Sequence, residues 1–395
     1  MTTSAPRALV LGFGGVGVLY AYILHRGGAH VTAVCRSNYD MVRQNGIDII
    51  SGKFGNHKQY RPDHVVHSPD QVKGLQFDYI VCTYKCVSDM QPSSDVIYPY
   101  LEKMDRVKLP YIVLIQNGVD IEKGVYDTLV NTNNPLARAI ISGVTWVATT
   151  LLGGGSRIEH GTLERLCLGL YPAPLQAQVP NAIADAITLL TSTMRQGGSS
   201  VEDTNDIASF RWNKTLWNTS WGALSTLARA PLRDILTAEA LPYTSGVVRG
   251  LMLEVLAVAR AVGLNEHRLP AKLLDDTYRL ALIGTPAKVR LSRNPDTFFD
   301  TKEDAFLPGY FKPSILVDLE HGRPMELDPI FGNIVKLGRK HNVDTPRLDM
   351  VLASLKPTQL RFICNARGEQ AETQQSNIYD ALPSLNVTGN APILS

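Results

Sequence analysis

Three glycines behind a short apolar run are the first residues in this chain whose spacing asks for a ligand. In LVLGFGGVGVL, residues 9 to 19, Leu9, Val10 and Leu11 have the composition of a buried parallel strand. Gly12, Gly14 and Gly17 follow at the spacing G-x-G-x-x-G, with Phe13, Gly15 and Val16 completing the turn. A tight turn, a close backbone approach and a helix packed hard against a strand each require a missing Cβ. A helical pattern runs on from about Gly15 to His25, which would put the free N–H groups of a helix N-terminus where a dinucleotide pyrophosphate lies. The competing reading is a glycine-rich turn kept only for packing.

The end of the second strand bears on which dinucleotide. An acid there would accept hydrogen bonds from a ribose 2′-hydroxyl and repel a 2′-phosphate, but the chain has Cys35-Arg36-Ser37 and no acid until Asp40. Arg36 can fork onto a 2′-phosphate, which favours NADP(H); a solvated arginine at a strand end is the plainer alternative. Two more loops should leave the same carboxyl edge, where open α/β sheets hold ligands. One carries Lys85 in Thr83-Tyr84-Lys85, the other Asn117 in Gln116-Asn117-Gly118. Alone these are a surface cation and a turn; their weight comes from sharing an edge with Gly12 and Arg36.

The elements that would position these residues follow from patterning. At 395 residues, 44% hydrophobic and 19% charged, the chain is a globular protein long enough for two domains. Apolar runs at His30–Val34, Asp78–Thr83, Tyr111–Ile115 and Arg138–Val144 alternate with helical patterns, as in a doubly wound parallel sheet. The stretches 47–66 and 145–170 read as hairpins that extend it. Beyond Gly197-Gly198 the period becomes 3.6, giving an NADP-binding α/β domain over 1–199, an all-α domain over 200–367 and a polar tail over 368–395. Residues 285–313 carry four prolines and read as a lid or insertion.

A net charge of +2 without a basic aromatic-interleaved patch argues against nucleic acid. Five cysteines without a C-x-x-C pair suit reduced thiols, and Cys82 and Cys86 lack the histidine or cysteine partners of a metal site, so no metal is expected. Without a leader pattern or an apolar stretch of about 18 residues, neither export nor a membrane is expected, and the cytoplasm is the default.

Taken in order, LGFGGVG, the Arg36 loop, TYK, QNG, WNKTLWN at 212–218, Glu254 in LEVLAVARAVG and PSILVDLEHGRPMELD at 313–328 resemble the ketopantoate reductase (2-dehydropantoate 2-reductase) family. The resemblance spans roughly 7–364. It implies an NADPH-binding Rossmann domain joined to a helical domain, with a small carbonyl substrate reduced in the cleft, in a monomer or homodimer. By motif it implies cofactor contacts at Arg36, Lys85 and Asn117, a catalytic lysine at Lys214, catalytic roles for Asn117 and Glu326, and substrate contacts at Asn218, Ser314, Asp318 and Glu254. Lys214 and Asn218, and likewise Ser314 and Asp318, are four apart and share a helical face. An ammonium beside a carbonyl can stabilise the charge that a hydride leaves on oxygen and supply the proton. Gly222 stands where the family commonly has a second asparagine, which opens two alternatives: a carbonyl reductase of different substrate range, in specialised metabolism for example, and a catalytically silent NADP(H)-binding sensor or scaffold.

Overall fold

Each apolar run of the amino-terminal half becomes a strand in the computed structural model, which describes residues 5–174, 179–283 and 311–369. The elements in order are β1 (Arg7–Leu11), α1 (Gly15–Arg26), β2 (His30–Val34), α2 (Tyr39–Asn45), β3 (Ile47–Ser51), β4 (Gly55–Tyr60), β5 (His64–Val66), β6 (Tyr79–Cys82), α3 (Ser93–Lys103), β7 (Tyr111–Ile115), α4 (Lys123–Leu129), β8 (Ala139–Leu152), β9 (Arg157–Tyr171), α5 (Asn181–Gln196) and β10 (Val201–Thr204). Six strands pair in parallel in the order β5-β2-β1-β6-β7-β8. Numbered along the chain, that is the doubly wound order 3-2-1-4-5-6, whose direction reverses between β1 and β6 and leaves a crevice at their carboxyl ends.

The strands are buried on both faces, so alternate residues serve two cores. Ala8 and Val10 pack with α1 and α5 residues such as Tyr20, Leu190 and Met194. Leu9 and Leu11 point the other way, toward Ile97 and Leu101 of α3 and Val125 and Leu129 of α4. The antiparallel extension also forms: β8 continues past Val144 to Leu152 because it keeps pairing with β9, and β3 and β4 form the hairpin beside it. One half of β9 then pairs in parallel with β3 and the other with β10. Residues 64–66 differ from the hairpin reading, since β5 leaves the hairpin to join β2 in the parallel sheet.

The remaining described elements are helical: α6 (Ile207–Ala228), α7 (Leu232–Ile235), α8 (Leu241–Ala261), α9 (Lys272–Ile283), α10 (Ser314–Glu320), α11 (Asn333–Lys340) and α12 (Pro346–Arg367), with a π-helical turn at Asp328–Gly332. Asp206 caps α6 by accepting from the Ser209 N–H and is forked by Arg268. Trp212, Leu216, Trp217 and Trp221 of α6 meet Val248, Leu251 and Val255 of α8 in a third core. One expectation is corrected here: α8, at 21 residues, is long and apolar enough to cross a membrane, although Val248, Leu251, Met252, Val255 and Val258 are buried against the other helices. The proline-broken segment lies outside the described residues up to 310, as does the tail from 370.

Candidate active site

The three fingerprint glycines have three different surroundings. Gly12 has φ +96°, and a Cβ there would lie 2.5 Å from the Tyr84 nitrogen, so the β1 turn is pressed against the loop after β6. A Cβ on Gly17 would lie 1.8 Å from the Gly12 carbonyl oxygen, which brings α1 down onto the strand. A Cβ on Gly14 would meet nothing within 4 Å among the described residues. Gly14 is also the N-cap of α1 and gives it no side-chain cap, so the first-turn N–H groups are left for another acceptor. Phe13 is buried in the core, with Val16 packed against it, and the Phe13 carbonyl accepts from the Asn38 amide at 3.1 Å. Gly15 is close to Thr149, its hypothetical Cβ lying 2.7 Å from Oγ1. Packing explains Gly12, Gly15 and Gly17; the open side of Gly14 fits a dinucleotide phosphate.

Arg36 is exposed at the end of β2, its guanidinium without a hydrogen-bond or ion-pair partner among the described residues, and its charge reaches the Tyr100 phenol. Lys85 differs: its ammonium is ion-paired with Asp318, which also accepts from Arg323 at 3.1 Å. Two residues expected to hold cofactor and substrate are thus brought together as a pair, with the carboxylate buried.

Lys214 projects from α6 toward the carboxyl end of β7 and the middle of β8. Its Nζ donates to Asn117 Oδ1 at 2.7 Å and to the Thr145 carbonyl, and lies 5.8 Å from the Trp146 ring centre. The residue as a whole keeps some exposure, but its ammonium is crowded by protein. Burial, then the nearby Arg211 charge, pull its pKa down to about 7, against the opposing pull of Glu326. An ammonium that titrates near neutrality can give a proton to an oxygen that gains charge.

Glu326 closes the group. One carboxylate oxygen accepts from the Asn117 amide at 3.2 Å and the other from the Cys86 N–H at 3.0 Å. Burial raises its pKa, opposed by Lys85 and those two donors. The Asn117 side chain is therefore oriented at both ends, its oxygen toward the lysine and its nitrogen toward the carboxylate.

The other expected residues are placed unevenly. Asn218 lies one helical turn beyond Lys214 and is part-buried; Ser314 opens α10 and is exposed. Glu254 stands apart from the Lys214 group: its carboxylate accepts from the Arg347 and Leu348 N–H groups and the Arg347 guanidinium, each at 3.0 Å, so it holds the first turn of α12. Gly222 is buried, and among the described residues a Cβ there would meet only Pro313 Cβ at 3.9 Å and the Trp217 carbonyl at 4.0 Å. Sequence reasoning missed Thr145, the Cys86 N–H and Arg211. The first two act through backbone atoms, which no residue type announces; Arg211 had a signal, a second cation one turn before Lys214 on α6.

The family description "Ketopantoate reductase PanE/ApbA" matches residues 8–173, and its carboxy-terminal counterpart matches 206–359. A 2-dehydropantoate 2-reductase of Nostoc is 24% identical over 88% of this chain and 93% of its own length. An uncharacterised protein of Saccharomyces cerevisiae is 26% identical over 90% of the chain and 94% of its own. The crystal structure of 2-dehydropantoate 2-reductase from Methylococcus capsulatus superposes with a TM-score of 0.68 at 29% identity, covering 90% of this chain and 97% of that one. A D-mandelate dehydrogenase solved with NADH and anilino(oxo)acetate shares the fold at a TM-score of 0.68 and 16% identity. With both halves matched by one family, in the order the sheet and helices require, the chain belongs to the ketopantoate reductase family of oxidoreductases.

Proposed function

We propose that this protein reduces the carbonyl of a 2-oxo acid with NADPH, with 2-dehydropantoate as the substrate. The observation that carries the reading is the Lys214 ammonium, crowded by protein, bonded to Asn117 and held near a pKa of about 7 at the mouth of a nucleotide-type fold. The relatives named as 2-dehydropantoate 2-reductases support the substrate, and the unpartnered Arg36 supports the 2′-phosphate.

When bound, the dinucleotide supplies the hydride. Lys214 gives the proton from Nζ, and its charge stabilises the oxygen that becomes an alkoxide. Asn117 and Glu326 hold that ammonium in place, while Trp146 covers one side of it. Asn218 and Ser314 are free to take the substrate's polar groups. Asp318 and Glu254 act as supports, since Lys85 and α12 already occupy them.

Lys214→Ala should lower kcat by about 10²-fold or more and leave NADPH affinity nearly unchanged, the pattern of a lost transition-state interaction. A parent as inactive as the variant across a carbonyl panel followed by NADPH absorbance would show a binding protein instead. Arg36→Asp should abolish the preference for NADPH over NADH; an unchanged preference removes the phosphate contact. The room beside Gly222 favours a second reading, a bulkier 2-oxo acid, which the same panel would identify.

A further inference from the structure

We infer that Arg211, paired with Glu122, is a positioning residue that sets Asn117 against Lys214 by gripping the backbone on both sides of Asn117. The guanidinium is 5% exposed. Its Nη1 donates to the Gln116 and Gly118 carbonyls, both at 2.9 Å, which are the carbonyls flanking Asn117. Its Nη2 donates to Ser142 Oγ at 2.7 Å and the Gly143 carbonyl at 3.2 Å, while Nε stands 2.7 Å from Glu122 Oε1. Ser142 in turn donates to the same Glu122 oxygen at 2.5 Å. A planar fork of donors can make this set of contacts at once, and a lysine point charge cannot.

The loop has no slack on its other side. Gly118 has φ +99°, and a Cβ there would lie 2.3 Å from the Pro329 carbonyl oxygen, which also accepts from the Val119 N–H at 2.9 Å. Asn117 is therefore clamped between Arg211 and the turn at Pro329. Arg211 is three residues before Lys214 on α6, so the element that carries the ammonium also carries the grip on its partner. A displacement of about 1 Å between such groups can cost 10²-fold in rate.

Among the described residues, the charged groups facing Lys214 are Arg211 on its own helix and Glu326 from the turn before α11; β8 brings Thr145 and Trp146 and the loop brings Asn117, none of them charged. Facing Arg211 are Glu122 and the Cys86 thiol, which burial pushes up to about 12 and keeps neutral.

The inference rests on the reading of Lys214 as the acid, so the experiment includes that residue. With 2-dehydropantoate and NADPH, kcat, KM, NADPH affinity and the alkaline limb of kcat/KM are measured for Arg211→Lys, Arg211→Met and Lys214→Ala, and for Arg211→Lys combined with Asn117→Ala. Arg211→Lys should lose about 10²-fold in kcat with NADPH affinity and its alkaline limb little changed, and the loss should nearly vanish in the Asn117→Ala background. Arg211→Met should lose kcat similarly and move its limb upward, because a cation near Lys214 is gone. A parental kcat for folded Arg211→Lys, or an equal loss in both backgrounds, overturns the positioning role while the Lys214 reading stands. Full turnover by Lys214→Ala overturns both. If Arg211→Lys fails to fold, Ser142→Ala and Glu122→Gln loosen the same grip, and a parental kcat in both overturns the role.

Discussion

Lys214 carries its charge in a setting that penalises it, and the pH dependence of the reaction should report this. With Lys214 as the proposed acid, reduction needs its ammonium form, so kcat/KM should be level below about pH 7 and fall above it, following the lowered pKa of Lys214. In the oxidation direction the neutral amine is required and the rate should rise through the same region. Profiles measured in both directions check this, and a limb near the ordinary lysine range of about 10.4 would contradict it. Lys214, Asn117 and Glu326 were legible in the sequence because each lies in a motif. Their bonding was not: Asn117 and Glu326 are 209 residues apart, and a pair that distant leaves no local trace. Lys85 and Asp318 were legible as motif residues, but their pairing with each other was not, since it depends on how the two halves dock.

At the scale of the element, the G-x-G-x-x-G turn separates packing from binding within one motif. Gly14→Ala meets nothing within 4 Å among the described residues, so the variant should keep its Tm and weaken NADPH binding by about tenfold. Gly17→Ala drives a methyl into the Gly12 carbonyl and should lose about 1–3 kcal/mol of stability, or more. Thermal melts and NADPH titrations of both variants test the division; a Gly14→Ala protein with parental NADPH affinity would remove the cradle. Strand identities were readable because a doubly wound sheet demands apolar runs buried on both faces, and β1, β2, β6 and β7 each end within a residue of the readings made for them. Strand β5 was misread because three residues cannot show whether they continue a hairpin or join a different neighbour. The loop after β6 is likewise held by the helical half, with Lys85 on Asp318, the Cys86 N–H on Glu326 and Asp89 on Lys356 and Gln359. No local pattern predicts that.

Across the whole molecule, the hairpin extension is tied to α1 by buried polar groups. Glu164 on β9 has a fully buried side chain and meets the Lys53 ammonium at 2.7 Å. It also accepts from Ser199 Oγ at 2.6 Å, the Ser200 N–H at 2.9 Å and the Tyr20 hydroxyl at 3.2 Å. Lys53→Met would leave that carboxylate without its counter-charge, at a cost of about 3–5 kcal/mol, nearer the lower end because three donors remain. Urea unfolding should show this, with partial recovery when Glu164→Gln is added; equal stability of Lys53→Met and the parent would mean that the donors alone hold the charge.

The Tyr20 hydroxyl also bonds Thr145 Oγ1, and the carbonyl of that same Thr145 holds Lys214. The helix whose open end suits a phosphate and the amine that would protonate a product thus lean on a single residue from opposite sides. Under the proposed function, that shared residue offers a route by which binding at one end and protonation at the other can be linked. Whatever factor an occupied nucleotide crevice applies to the proton affinity of the amine, a proton on the amine must apply in equal measure to the grip on the nucleotide.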